Sequence, residues 1–150
     1  MRPNIACSRL PPASAALPLP SAADAQRSVL NKKAAMKQFH YRRTKDGKCV
    51  WDVDRLIRLA QGLPTKTVPL DSIFEFEEVY WFDEQYRPTC RAVVSHIKRI
   101  QEADLSSPII LSADGHVMDG MHRVAKAWLL DLTAIQAVQF AHDPEPDQIV

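Results

Sequence analysis

The chain has 150 residues, 46% of them hydrophobic and 25% charged, the composition of an ordinary folded domain. Its 19 basic and 18 acidic residues leave a net charge of +1, so no global basic excess marks a nucleic-acid binder. Three widely spaced cysteines (Cys7, Cys49 and Cys90) form no CxxC pair, which argues against structural zinc and suits a reducing, cytoplasmic setting, and no apolar run approaches the ~20 residues of a membrane span.

Residues 1–35 stand apart. The stretch RLPPASAALPLPSAADAQ is rich in Pro, Ala and Ser and has neither helical nor alternating apolar spacing. Such a segment buries too little surface to offset its ordering entropy. The expectation is a disordered or non-native N-terminal extension, with Met36 as an alternative start. A targeting peptide is the third reading, since the segment is basic, but Pro11, Pro12, Pro18 and Pro20 would break a secretory apolar core. The ordered domain is expected over residues 36–142, with 143–150 as an acidic, Pro-containing tail.

From Phe39 the pattern is regular. FHYRR and KCVWDV flank TKDGK, and Asp46-Gly47 signals a hairpin. DVDRLIRLAQGLP reads as a short helix capped by Asp52, with Leu56, Leu59 and Ala60 on its apolar side and Gly62 and Pro64 ending it. KTVPLDSI is a short strand running into a turn. In EFEEVYWFDEQYRP aromatics alternate with acids; this reads as a loop, with room for a short strand. Its Tyr80, Trp81 and Phe82 suit the core, or stacking on a base. Thr89 then caps a helix whose expected buried stripe is Cys90, Val93, Val94, Ile97 and Ile100. Residues 109–111 and 117–118 read as strands paired across Asp114-Gly115. A helix follows Gly120 with Met121, Val124, Ala125, Trp128 and Leu132 as its stripe, and AIQAVQF is a last strand.

The chemistry concentrates in VMDGMHRVAKAW, residues 117–128. A strand ends, Asp119-Gly120 turns the chain, and a helix begins. The first N–H groups of a helix have no intrahelical partner and carry about half a positive charge, which makes them an anion site. His122 and Arg123 add donors in the first turn, and Lys126 lies on the same face as His122. Cations there cost roughly 0.3–1 kcal/mol each unless an anion is present. One structural alternative stands beside a bound phosphate: Asp119 pairing with Arg123.

PIILSADGHVMDGMHRVAKAW, with VPLDSI and PTCRAVVSHIKRI ahead of it, resembles the ParB/sulfiredoxin superfamily over roughly residues 67–140. The resemblance implies a compact α+β domain with a small mixed β-sheet and packed helices. It also implies a nucleotide, ATP/ADP or CTP, with Mg2+ as a companion ion, held at the DG-x-HR motif. Gly120, His122 and Arg123 fall on the family's phosphate-cradling positions, Asp119 is the turn acid, and Lys126 lies one turn on. Two departures narrow this. Met121 stands where sulfiredoxins carry their catalytic cysteine, so sulfinic-acid reduction is not expected. The chain runs ten residues past position 140, so the partition proteins' helix-turn-helix is not expected either.

Two functions follow from the resemblance. One is a small-molecule phosphotransferase dependent on ATP or ADP, for which Asp83 or Glu84 would be the base near the acceptor hydroxyl. The other is a non-catalytic, nucleotide-gated module that binds DNA or a protein, for which Arg42, Arg43, Lys45 and Lys48 on the first hairpin are the DNA-facing candidates. No membrane partner and no metal site are expected. If residues 1–35 add nothing to the core, deleting them leaves the melting temperature unchanged within error; a calorimetric scan of the chain starting at Met36 checks this.

Overall fold

The computed structural model describes residues 37–150, which form one compact unit. The expectation for residues 1–35 lies outside the described residues. In chain order the elements are β1 (Phe39–Thr44), β2 (Gly47–Asp52), α1 (Val53–Ala60), β3 (Thr65–Pro69), two short 3-10 turns (Leu70–Ser72 and Phe74–Glu77), α2 (Cys90–Glu102), β4 (Ile109–Leu111), β5 (Val117–Asp119), α3 (Met121–Leu129), β6 (Ala134–Gln139) and β7 (Gln148–Ile149). The domain is therefore α+β. It has two small sheets where one was expected: a three-stranded sheet in the order β1-β2-β7 and a four-stranded one in the order β3-β6-β4-β5. The second sheet is mixed, with β4 parallel to β6 and the other pairs antiparallel. Among the described residues no helix is long and apolar enough to cross a membrane.

Strand alternation splits the core into two layers. Ile109, Leu111, Val117 and Ala137 point to one face of the four-stranded sheet, where Met121, Val124 and Ala127 of α3 meet them. Ile110, Met118 and Val138 point to the other, against Leu56 and Ala60 of α1 and Cys49 and Trp51 of β2. The sheet is thus filled on both sides, which explains why the central strand β4 is apolar at every position.

Local signals behave as their chemistry demands. The Asp52 side chain accepts the Asp54 N–H and caps α1; Thr89 accepts the Ala92 N–H and caps α2. The first hairpin turns at Lys45-Asp46, with Gly47 in the positive-φ region opening β2. The α1 stripe is Val53, Leu56 and Ala60, whereas Leu59 is exposed.

The run 75–88 is a loop, as expected, with a 3-10 turn, and holds no strand. With Leu59, four expectations fail. The buried face of α2 is Ala92, His96 and Ile100; Cys90, Val93, Val94 and Ile97 are exposed, Val94 by 62%. The helix is rotated from its most apolar phase because His96 finds a polar partner inside, and small Ala92 permits close approach. On α3, Ala127 replaces Trp128 in the core; Trp128 is 59% exposed with its ring against Phe76, and Leu132 lies beyond the helix, also exposed.

The fourth concerns residues 143–150, which are part of the fold. Asp143 pairs with Arg42 and accepts the Ala113 N–H, Asp147 accepts the Asp52 N–H at 2.8 Å and pairs with Arg55, and β7 adds to β2. The buried Trp51 indole donates to the Pro144 carbonyl at 2.8 Å. The acids that suggested a solvated tail are consumed by Arg42, Arg55 and backbone donors. Ending the chain at residue 142 strands the indole N–H and bares β2. The expected loss is on the order of 1–3 kcal/mol for the indole donor alone, a drop of roughly 5–10 °C in a thermal melt.

Candidate functional site

Gly120 adopts φ +110°, a left-handed conformation that lets β5 turn at once into α3. A Cβ there would lie 2.6 Å from Ile109 Cγ2 and 3.1 Å from Arg123 Nε. The glycine is therefore required twice, by its φ and by the close approach of β4. Its carbonyl accepts the N–H groups of Arg123 and Val124 at 2.8 and 3.0 Å. No side chain caps α3, whereas Asp52 and Thr89 cap the other two described helices.

The basic residues of the motif are already occupied. Arg123 pairs with Asp119 through Nη2, while its Nη1 donates to the carbonyls of Pro108 at 3.0 Å and Ser107 at 3.3 Å. This is the structural alternative of the sequence, and both side chains are largely buried. Lys126 donates to the carbonyls of Gln101 and Ala103 at 2.9 and 2.6 Å. It closes the C-terminal end of α2, where a cation meets the negative end of the helix dipole. Arg123 and Lys126 thus hold loops in place and do not reach outward.

His122 sits in a different setting. Its Nε2 is 2.9 Å from Nδ1 of His96 on α2. The two rings are nearly parallel, 13° apart, and Trp81 stacks over both, 4.8 Å from His122 and 4.7 Å from His96. Phe82 meets His96 edge-on at 5.2 Å. Two ring nitrogens at that separation share one proton, one donating and one accepting. Burial, then the neighbouring His96, Arg99 and Arg123, push His122 down from 6.5 to about 4, and burial followed by Arg99 lowers His96. His122 is therefore neutral at neutral pH. It is not the cation that its place in the first turn suggested, and burial is the first reason.

Asp83 is bound within its own loop, and Glu84 is exposed. The Asp83 carboxylate accepts the N–H groups of Gln85 and Tyr86 at 2.8 and 2.6 Å, and those bonds hold its pKa low. The cations acting on it are Lys48 and Arg43 of the first hairpin. The same loop contributes Trp81 instead. Of the hairpin cations, Arg42 is spent on Asp143 and Lys48 lies over the Tyr41 ring.

The structure therefore brings together Asp119, Gly120, His122 and Arg123, sets Lys126 behind them, and engages Asp83 within its own loop with Glu84 exposed. Sequence reasoning missed His96. Its signal was present: an imidazole four residues after Ala92 and four before Ile100, on one helical face. Comparison with protein-family models, with curated proteins and with solved structures returns no match.

The buried imidazoles fix a pH dependence. A histidine whose folded pKa lies below its unfolded value contributes stability above the unfolded pKa, and that contribution is lost as pH falls toward the folded pKa. His122 and His40 both fall to about 4, His40 through burial and then Arg42. The melting temperature should fall as pH drops from about 6.5 to 4. His122→Gln should melt lower than the parent at pH 7.5 but lose less on acidification; a pH series of thermal melts on both proteins checks the sign.

Proposed function

We propose that the chain is a cytoplasmic nucleotide-binding module of ParB/sulfiredoxin type, with the phosphates of ATP, ADP or CTP at the N-terminus of α3. The observation that carries this reading is the contrast among helices. Asp52 and Thr89 close the first turns of α1 and α2, while α3 opens on a left-handed glycine with no capping side chain. Its first-turn donors suit a phosphate better than they suit bulk water.

The fit is partial, and its form matters. Backbone N–H groups would supply the hydrogen bonds. Arg123 supports them from behind, by fixing Asp119 and the chain at 107–108, and does not grip the phosphate with its fork. His122 is a neutral ring that can exchange its His96 partner for a ligand oxygen. Among the described residues no group of three His, Cys, Asp or Glu side chains gathers to hold a metal, so an Mg2+ ion would enter on the nucleotide's own phosphates.

The non-catalytic branch is favoured over phosphotransfer by two observations. The Asp83 carboxylate is engaged within its own loop, and α2 carries an exposed apolar row, Val93, Val94 and Ile97, that a partner could cover. The partner, protein or DNA, is part of the proposal.

Calorimetric titration of the full chain with ATP, CTP and their nucleosides tests the phosphate site. Nucleotides should bind at least about tenfold tighter than nucleosides, or about 1.4 kcal/mol. Absence of heat with every nucleotide, or equal nucleoside affinity, sinks the reading. Arg123→Lys keeps the charge but loses the fork; it should cost on the order of 1–3 kcal/mol of stability whether or not nucleotide binds.

A further inference from the structure

A second cleft, of about 220 Å³, opens at the other end of the four-stranded sheet. It lies where the parallel neighbours β4 and β6 end, at Leu111 and Gln139, and beside the β4–β5 turn. The carboxyl ends of parallel strands are where open sheets commonly leave room for ligands. The motif at Gly120 lies at the far end of β5, so this cleft is separate from the nucleotide reading and does not rest on it.

Its lining joins an apolar floor to a polar rim. Val68, Ile73 and Leu111 form the floor. Lys66 stands on the rim, and its ammonium donates to the amide oxygen of Gln139, a neutral acceptor. The Gln139 amide in turn donates to the Ala113 carbonyl at 2.9 Å. The lysine is thus positioned by a neutral relay and makes no ion pair with Asp114, the carboxylate in the lining, so its charge can meet a ligand's anion.

His116 stands across from it in a fixed orientation. Its Nδ1 is 2.9 Å from Glu75 Oε1, which also accepts the Val117 N–H at 2.9 Å. The Glu75 side chain is only 12% exposed, whereas that of His116 is 53% exposed. With the Nδ1 proton directed at Glu75, Nε2 is the ring's free nitrogen. Phe74, 74% exposed, overhangs the cleft and adds nothing to the core.

The geometry points to a binding site for a small organic carboxylate with an apolar or aromatic body. The carboxylate would pair with Lys66, while the body lies on Val68, Ile73 and Leu111 beside Phe74, and a donor group of the ligand could meet the lone pair of His116 Nε2. Drug-sized ligands need clefts of roughly 300–1,000 Å³, so the occupant here is smaller, of about amino-acid size.

Phenylacetate and the uncharged phenylacetamide are suitable probes. Amide chemical shifts of the isotope-labelled full chain would be followed during titration with each. The expected result is a saturable shift centred on Val68, Gly115 and His116 with phenylacetate, at millimolar or tighter affinity. Phenylacetamide, or phenylacetate added to Lys66→Gln, should bind at least about tenfold more weakly, with the Lys66→Gln spectrum otherwise unchanged. Equal binding of acid and amide, full affinity in Lys66→Gln, no saturable shift, or shifts confined to residues 121–123 would each overturn the assignment.

Discussion

The fold turns on the Arg123 guanidinium. One side chain holds the acid that ends β5, the two carbonyls that precede β4 and, by lying against Gly120, the start of α3. The Ile110–Asp119 pairing and the close approach of Ile109 to Gly120 bring these segments together, and the guanidinium bonds across their junction. Because the guanidinium is planar, it can serve a carboxylate on one edge and carbonyls on the other. Lys126 repeats the device one turn later, joining α3 to the end of α2. With the end of α2 held to α3 in this way, His122 meets His96 and Trp81.

This ordering explains what the sequence made legible. The hairpin at 44–47, the caps Asp52 and Thr89, the strand pair across Asp114-Gly115 and the last strand each rest on signals local to a few residues, and each stands in the structure. The Asp119–Arg123 pair was equally accessible, because four residues separate its partners across a helix start. What stayed hidden depends on contacts between distant segments. The phase of α2 is set by His96 meeting His122 and Trp81, and the Val93–Ile97 row loses to it. The β7 strand is set by Arg42, Arg55 and Trp51, 90 or more residues earlier. Apolar periodicity cannot report a polar group buried by its partner.

The exposed rows deserve a physical reading of their own. Val93, Val94 and Ile97 on α2, and Trp128, Leu129, Leu130 and Leu132 around the end of α3, look like core in sequence and lie in solvent in the fold. Single exposed apolar residues are ordinary. Runs at helical spacing are less so, since they lower solubility without adding stability. They lie on or just after the two helices that carry His96 and His122, so the part-buried polar contact between those rings is flanked by the exposed apolar surface of the same helices.

In the His96–His122 pair one ring nitrogen donates and the other accepts, and Trp81 rests on both rings. The motif's cations are immobile, committed to carbonyls and to Asp119. The histidine pair is thus the neutral part of this site, held by one hydrogen bond and by stacking beside those cations.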